Sequence, residues 1–412
     1  MQRTPMREVC ITGYGVVCPL GDDMAVFDDA LFSGRSAVRA HRLALPGSDA
    51  VDVPVAACAF QDGAMRAPSR LPLDRGTAMA LAAAESATQA AGLAPGTFDG
   101  DRLGIFWGSG MGGAATFDAT CRALYAEQRR IRPTSVVTGM PNAPLAELGL
   151  RFGARGAAIA YACACASAAV AIGEAMLAIR SGRIDVAIVG GSDALLSPGV
   201  IGAWQAMRVL APGGGADAAR ACRPFAADRA GFALGEGAAA LVLEADSHAQ
   251  ARGASQSIRL AGYATNCDGL HITQPDPSGQ ARAMVAALRD AGLQAADIGH
   301  VNAHGTATQA GDAAEAESLK RVFGSTPPAV TASKAILGHL LGAGGAVELV
   351  ATLRALARRC APPTAHVERL DDAFEIDLVR GAVRPLPQLR HAMSNSFAFG
   401  GTNAVLVVSL VS

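Results

Sequence analysis

Cys165, in the run Ala164-Cys165-Ala166-Ser167, and two histidines in glycine-bearing turns, His304 and His339, are residue types that together can do covalent chemistry. A thiolate attacks thioesters well, and imidazole donates hydrogen bonds or moves protons near neutral pH. The three therefore read as a nucleophile with two acid–base groups. Cys165 follows an apolar run and precedes an alanine-rich stretch read as a helix over 166–181. A sulfur at a helix N-terminus meets unpaired N–H groups and the positive end of the dipole, which predicts a depressed thiol pKa. Cys163, two residues earlier, reads as inert core. Zinc is disfavoured, because the histidines stand far apart in the chain and no Cys/His cluster at ligand spacing accompanies them.

The elements that must position these groups follow an α/β alternation: short β-branched or mixed apolar runs, each ending in glycine or a small polar residue, precede alanine-rich stretches. Strands are expected over 9–12, 103–107, 186–189, 238–243, 329–332 and 404–409, and helices over 77–91, 166–181, 279–291, 313–323 and 343–357. Val9-Cys-Ile-Thr-Gly-Tyr is echoed by Ile258-Arg-Leu-Ala-Gly-Tyr, which suggests a duplicated α/β unit with its seam near residue 250. The halves are 1–250, carrying the nucleophile, and 251–412, carrying both histidines, packed as one body. The run Ser394 to Asn403 reads as a loop that serves either as a lid or as a turn before the last strand. Gly108-Ser-Gly-Met-Gly-Gly lacks both the Gly-Lys-Ser/Thr ending of a phosphate loop and dinucleotide-binding spacing.

Composition excludes several classes. With 412 residues, half of them hydrophobic, the chain can bury a large core. A net charge of −1 argues against a general nucleic-acid or anionic-membrane binder. The apolar stretch 157–179 reads as a buried strand and helix, because alanine dominates it and Ser167, Gly173 and Glu174 interrupt it. Nine cysteines without a Cys-x-x-Cys pair read mostly as small buried residues, and the N-terminus, a polar lead entering an apolar run, reads as cytoplasmic. Only Lys320 and Lys334 are lysines among 35 basic residues, and Lys334 lies just before His339.

With these motifs in order, the chain resembles the elongating β-ketoacyl-[acyl-carrier-protein] synthases (type I/II, Cys-His-His) of the thiolase superfamily. The likeness runs from Val9-Cys-Ile-Thr-Gly-Tyr-Gly through Gly108-Ser-Gly-Met-Gly-Gly, Ala164-Cys-Ala-Ser and Arg229-Ala-Gly-Phe-Ala-Leu-Gly-Glu-Gly. It continues through His304-Gly-Thr-Ala-Thr, Lys334 with Gly338-His-Leu-Leu-Gly-Ala, and Phe399-Gly-Gly-Thr-Asn. The resemblance implies a duplicated fold in five αβαβα layers, working as a homodimer or as a heterodimer with a related subunit. It implies that Cys165 carries the acyl chain and that His304 and His339 hold the malonyl thioester carbonyl. The N–H groups of Cys165 and Phe399 would form the oxyanion hole, with Phe399 also the gate.

The resemblance further implies Lys334 and Glu315 as a charged pair, Thr306 and Thr308 as contacts for phosphopantetheine, and Met111 and Trp204 at the acyl pocket, Met111 across the dimer interface. Asn302, Glu348, Ser394 and Asn403 match positions that surround a monovalent cation in some members. No cofactor is implied, since substrates arrive on the phosphopantetheine of an acyl carrier protein. Carrier proteins of the family are acidic, so Arg66, Arg70, Arg75, Arg129, Arg130, Arg132 and Arg208 are the candidate docking residues. Ala226, Ala398, Cys163 and Trp204 depart from the common pattern, and Ala398 stiffens the lid if the glycine it replaces needs positive φ. The alternatives are a specialised polyketide or polyene ketosynthase with a different partner subunit, and a non-catalytic chain-length factor, against which Cys165 argues. A thiolase and an initiating type III synthase are disfavoured by their different catalytic sets.

Overall fold

The computed structural model describes residues 6–411 except 46, 48, 62, 95, 98 and 214, so the polar lead over 1–5 lies outside the described residues. Eleven strands form its large sheet: β1 (Val9–Val17), β2 (Leu103–Gly108), β3 (Ala158–Tyr161), β4 (Val186–Asp193), β5 (Gly237–Ala245), β6 (Ile258–Cys267), β7 (Ile298–Asn302), β8 (Ala329–Thr331), β9 (Asp377–Leu378), β10 (His391–Phe397) and β11 (Thr402–Leu410). Their order is β9-β8-β7-β10-β11-β6-β1-β5-β4-β2-β3. The order is a repeat in mirror positions. β1 pairs antiparallel with β5 and β5 with β4, while β2 runs parallel to both β4 and β3. In the other set β6 pairs antiparallel with β11 and β11 with β10, while β7 runs parallel to both β10 and β8. The two sets join at one residue pair, Cys10 with Arg259.

The echoed segments are thus the first strands of each set, and the likeness extends below sequence. Each carries a bulge one residue before its glycine: Thr12 is skipped in the β1 ladder and Ala261 in the β6 ladder. Each glycine then lies under the last turns of a covering helix, α1 (Arg75–Ala90) or α3 (Pro277–Ala291). A Cβ at Gly13 would stand 2.3 Å from the Ala87 carbonyl oxygen, and one at Gly262 2.5 Å from that of Ala287. Only glycine lets helix and strand backbones approach this closely.

Helices α2 (Ser167–Arg180) and α5 (Gly344–Arg358) lie between the two sets and touch strands of both. Helix α4 (Gln309–Phe323) packs beside α3 on the outer face of the second set, and α1 covers the first. The layers therefore run helix, sheet, helix, sheet, helix, the five-layered α/β arrangement of the thiolase-like fold. Burial on all sides explains why α2 is rich in alanine: small side chains let both sheets close on it. Local signals set the outer helix ends. Asp276 accepts the N–H groups of Ser278 and Gly279 with Pro277 at the first helical position, and Gly292 ends α3 at φ 68°.

The expected loop over 394–403 is corrected: Ser394, Asn395, Ser396 and Phe397 belong to the buried central strand β10, and only 398–401 turn. The polar run is tolerated because the strand pairs on both edges and Asn395 Nδ2 faces Glu315 Oε1. Helix α2 begins at Ser167, one residue later than expected, after a 3₁₀ turn over Ala164–Ala166.

Candidate active site

Cys165 sits in that 3₁₀ turn, with Ala164 held at φ 47° and Ser167 Oγ donating to the Ala164 carbonyl. The turn places Sγ 3.0 Å from Nε2 of His339, whose segment is fixed by its own N–H on the Ala233 carbonyl. His304 follows the end of β7 and meets His339 edge to face at 5.5 Å between ring centroids. Nucleophile and imidazoles converge, with one ligand atom from each inside a span of 4.8 Å. The N–H of Phe399 also reaches the sulfur.

Cys165 is only 6% exposed, and this enclosure reverses the expected thiol pKa. Burial pushes it up to about 12, against the smaller opposing pulls of the Lys334 charge and the Phe399 N–H. Removing a thiolate from water costs more than the turn and the ammonium return, so Cys165 rests as a thiol. Burial likewise holds both histidines well below their usual pKa, aided by Lys334 and, for His304, by His339. They are neutral imidazoles near pH 7.

Lys334, itself 1% exposed, spends its three donors on His304 Nδ1 at 3.3 Å, the His304 carbonyl at 2.6 Å and Glu348 Oε1 at 2.5 Å. An ammonium only donates, so Nδ1 of His304 accepts and its proton lies on Nε2. Nδ1 of His339, in contrast, has no hydrogen-bond partner among the described residues. His304 is a fixed donor, whereas His339 is free to hold either tautomer.

The expected pairing of Lys334 with Glu315 is therefore corrected. Glu348, one turn into α5, is the direct partner of Lys334. Glu315 instead accepts the N–H groups of His304 and Gly305 and the amide of Asn395, so it shapes the histidine turn. Burial raises the pKa of both carboxyls, that of Glu348 to about 7. Of the suggested cation set, Asn302 and Ser394 stand opposite each other across β7 and β10. Asn403 turns its amide to Asn266 and Asp268, and the Glu348 carboxylate carries the Lys334 charge.

The reacting groups open into a cavity of about 270 Å³ whose apolar wall includes Trp204, Met207, Val209, Phe232 and Phe399. Trp204 stacks on Phe399 at 6.2 Å, and Phe232 stands edge-on to His339 at 5.0 Å. Thr306 and Thr308 line the same cavity with their hydroxyls 2.9 Å apart, and Thr308 also caps α4. The gate turn has its glycines Gly400 and Gly401 at φ 86° and 77°, while Ala398 is not at positive φ, so the expected stiffening does not arise. Met111 does not line this cavity. It is 39% exposed beside helix Ala114–Tyr125.

Sequence reasoning missed Asp193 and Asp312, both buried. Asp193 takes the N–H groups of Gly110, Met111 and Gly342 and the Ser109 hydroxyl. Asp312 takes those of Phe225 and Ala307, and burial lifts its pKa to about 7. Nothing in an isolated Asp marks such a role. Of the candidate docking arginines, Arg75 is engaged with Glu236 and the Phe60 and Cys58 carbonyls, whereas Arg66, Arg70, Arg129, Arg130, Arg132 and Arg208 are exposed.

Residues 6–249 match the β-ketoacyl synthase N-terminal domain and residues 258–368 the β-ketoacyl synthase C-terminal domain. The chain belongs to the β-ketoacyl synthase family. The synthase is 37% identical to nodulation protein E of Rhizobium meliloti (strain 1021), over 98% of this chain and all of that one. It is 35% identical to 3-oxoacyl-[acyl-carrier-protein] synthase 2 of Staphylococcus aureus (strain COL), over 97% of this chain and 98% of that one. The solved ishigamide ketosynthase/chain length factor superposes on the synthase with a TM-score of 0.89 at 29% identity, over 99% of this chain and all of that one. Among the described residues, no helix of the synthase is long and apolar enough to cross a membrane.

Proposed function

We propose that the protein condenses an acyl chain held on Cys165 with the malonyl group of a malonyl-acyl-carrier protein, releasing CO2 and a 3-oxoacyl-carrier product. In loading, Sγ adds to the acyl thioester carbon as the thiol proton passes to Nε2 of His339. The carrier thiolate then leaves and takes that proton. The N–H groups of Cys165 and Phe399 stabilise the oxyanion. In condensation, the bond to the malonyl carboxylate breaks, CO2 departs, and the bonding pair becomes an enolate. Its oxygen accepts hydrogen bonds from Nε2–H of His304 and of His339. The enolate carbon attacks the Cys165 thioester, the C–S bond breaks, and the freed thiolate takes a proton from water.

The observation that carries this reading is the division of labour between the imidazoles. One is locked as a donor by Lys334, and the other sits 3.0 Å from the nucleophile with its far nitrogen unengaged. Loading needs an imidazole nitrogen that can take the thiol proton, and condensation needs two Nε2–H donors, so the uncommitted imidazole must serve in both. The apolar wall suits an acyl chain, and the exposed arginines suit an acidic carrier. The same reading takes 1–250 and 251–412 as two repeats of one unit, supported by their matched strand orders, and places the protein in the cytoplasm. Loading of Cys165 followed by intact mass is the test. Cys165→Ala should abolish loading while Cys163→Ala retains it, and His304→Ala should impair malonyl decarboxylation more than loading. Decarboxylation at the parent rate without His304 would remove the mechanism.

A second reading, a ketosynthase working beside a related subunit for a specialised product, draws on the exposed apolar residues Phe117, Leu124, Tyr125, Val136 and Val137 flanking Met111. They form the kind of surface that another chain covers. The solved ishigamide ketosynthase/chain length factor is the neighbour that this reading follows, with a second subunit covering the patch.

A further inference from the structure

Gln280 is a polar side chain on the cavity wall that none of these steps uses. It is the fourth residue of α3, 1% exposed, and it lines the cavity. Its Oε1 is fully buried, and neither atom of its amide makes a hydrogen bond among the described residues. Buried amides are ordinarily paired, and one left open onto a binding cavity marks a missing polar partner.

The surroundings indicate what that partner is. Lys and Arg are absent from the residues lining the cavity. Lys334 behind it has no donor left, and the Asn403 amide is spent on Asn266 and Asp268. The two imidazole Nε2 atoms are committed to the thioester oxygen. Gln280 also stands on the helix that reaches the floor of the site. Met284, one turn along the same face of α3, has its Sδ 3.6 Å from Asn395 Nδ2, which is 3.3 Å from the Glu315 carboxylate that holds the His304 turn. The mouth, by contrast, is formed by Met207 and Ile272, 46% and 73% exposed.

We propose that the Gln280 amide holds the carboxylate of the malonyl unit, an inference that rests on the condensation reading. Its NH2 donates to a carboxylate oxygen and orients the breaking C–C bond relative to the thioester carbonyl on His304 and His339. A neutral donor suits this task better than an arginine. An ion pair would stabilise the charged ground state, whose charge must leave the carboxylate for the enolate as CO2 forms. A single amide positions the group and leaves most of its charge unpaired in an apolar site.

The test compares Gln280→Met, which keeps length and removes both polar atoms, with Gln280→Glu, which keeps shape and sets a carboxylate against the incoming one. Each is assayed for malonyl-carrier decarboxylation and for loading of Cys165 from an acyl-carrier protein, with thermal melts confirming folding. The KM for malonyl-carrier should rise about tenfold in Gln280→Met and further in Gln280→Glu, as expected for losing a hydrogen bond to a charged group. Loading should be unchanged in both. Equal weakening of both substrates would assign the amide to the shared pantetheine arm and overturn the proposal, as would a KM for malonyl-carrier unaltered in either folded variant. A parent enzyme that loads Cys165 but never decarboxylates malonyl-carrier would instead overturn the condensation reading itself.

Discussion

The turn Ala164–Ala166 ahead of α2 and the turn Leu341–Ala343 ahead of α5 have nearly the same backbone but different contents. Ala164 and Leu341 stand at φ 47° and 43°, and the residues entering the helices, Ser167 and Gly344, share φ −52° and ψ −49°. The first turn carries Cys165 facing the cavity. The second carries Gly342, whose N–H donates to Asp193 at 2.7 Å and whose hypothetical Cβ would lie 2.1 Å from the Gly110 nitrogen. One copy of the duplicated turn opens onto substrate space, and the other is closed against backbone. A strained turn leading into a buried helix is thus a site only where a cavity receives its side chain. His339 stands two residues before the closed turn, so that segment still brings an imidazole to Cys165.

Filling the closed turn tests the comparison most severely. Gly342→Ala should cost about 4 kcal/mol or more, because the clash is with main chain that cannot rotate away. Denaturant unfolding reads this, and a loss below about 1 kcal/mol would mean that the second turn has hidden room. Asp193→Ala should cost about 3 kcal/mol by orphaning the buried Gly342 N–H and Ser109 hydroxyl together with two half-buried N–H groups, and should disturb loading only through stability. Melting and acyl-loading measurements on the same preparation separate the two effects.

The open turn is tested by pH. Because burial holds the Cys165 thiol up to about 12, the thiolate fraction rises about tenfold per pH unit across pH 7 to 9. Alkylation of Cys165 in the substrate-free enzyme, followed by peptide mass, should climb with that slope. A plateau near pH 7 would restore the depressed pKa expected from a helix end. The smallest effect concerns chain length: Trp204→Ala should shift product masses toward longer chains through the lost stack on Phe399. Met111→Ala should do so only in an assembly where a partner brings that loop to a tunnel. Identical profiles for the parent and Trp204→Ala would place the tunnel limit elsewhere.

Much of the layout was legible along the chain. Apolar runs marked β1, β2, β4, β5, β8 and β11, and alanine-rich stretches marked α1 to α5, because hydrophobic periodicity is a local property. The Gly-Tyr echo exposed the repeat, down to a bulge that no propensity encodes. Strand β7, Ile298-Gly-His-Val-Asn, escaped because Gly299 and His300 break the apolar run. Strand β10 escaped because the polar Ser394-Asn395-Ser396 read as a loop, while in the fold the strand pairs on both edges and Asn395 Nδ2 finds Glu315 inside.

By itself the sequence singled out Cys165, His304 and His339, the three side chains that the fold brings together, and the alternation that sets them at element ends, since residue type and spacing carry that information. Tertiary structure decided what those residues are electrically: a thiol rather than a thiolate, a donor imidazole and an uncommitted one, Lys334 on Glu348 rather than Glu315. Those properties depend on enclosure and on which donors meet across the seam between the two halves. Desolvation and long-range pairing are sums over neighbours distant in the chain, and no local pattern records them.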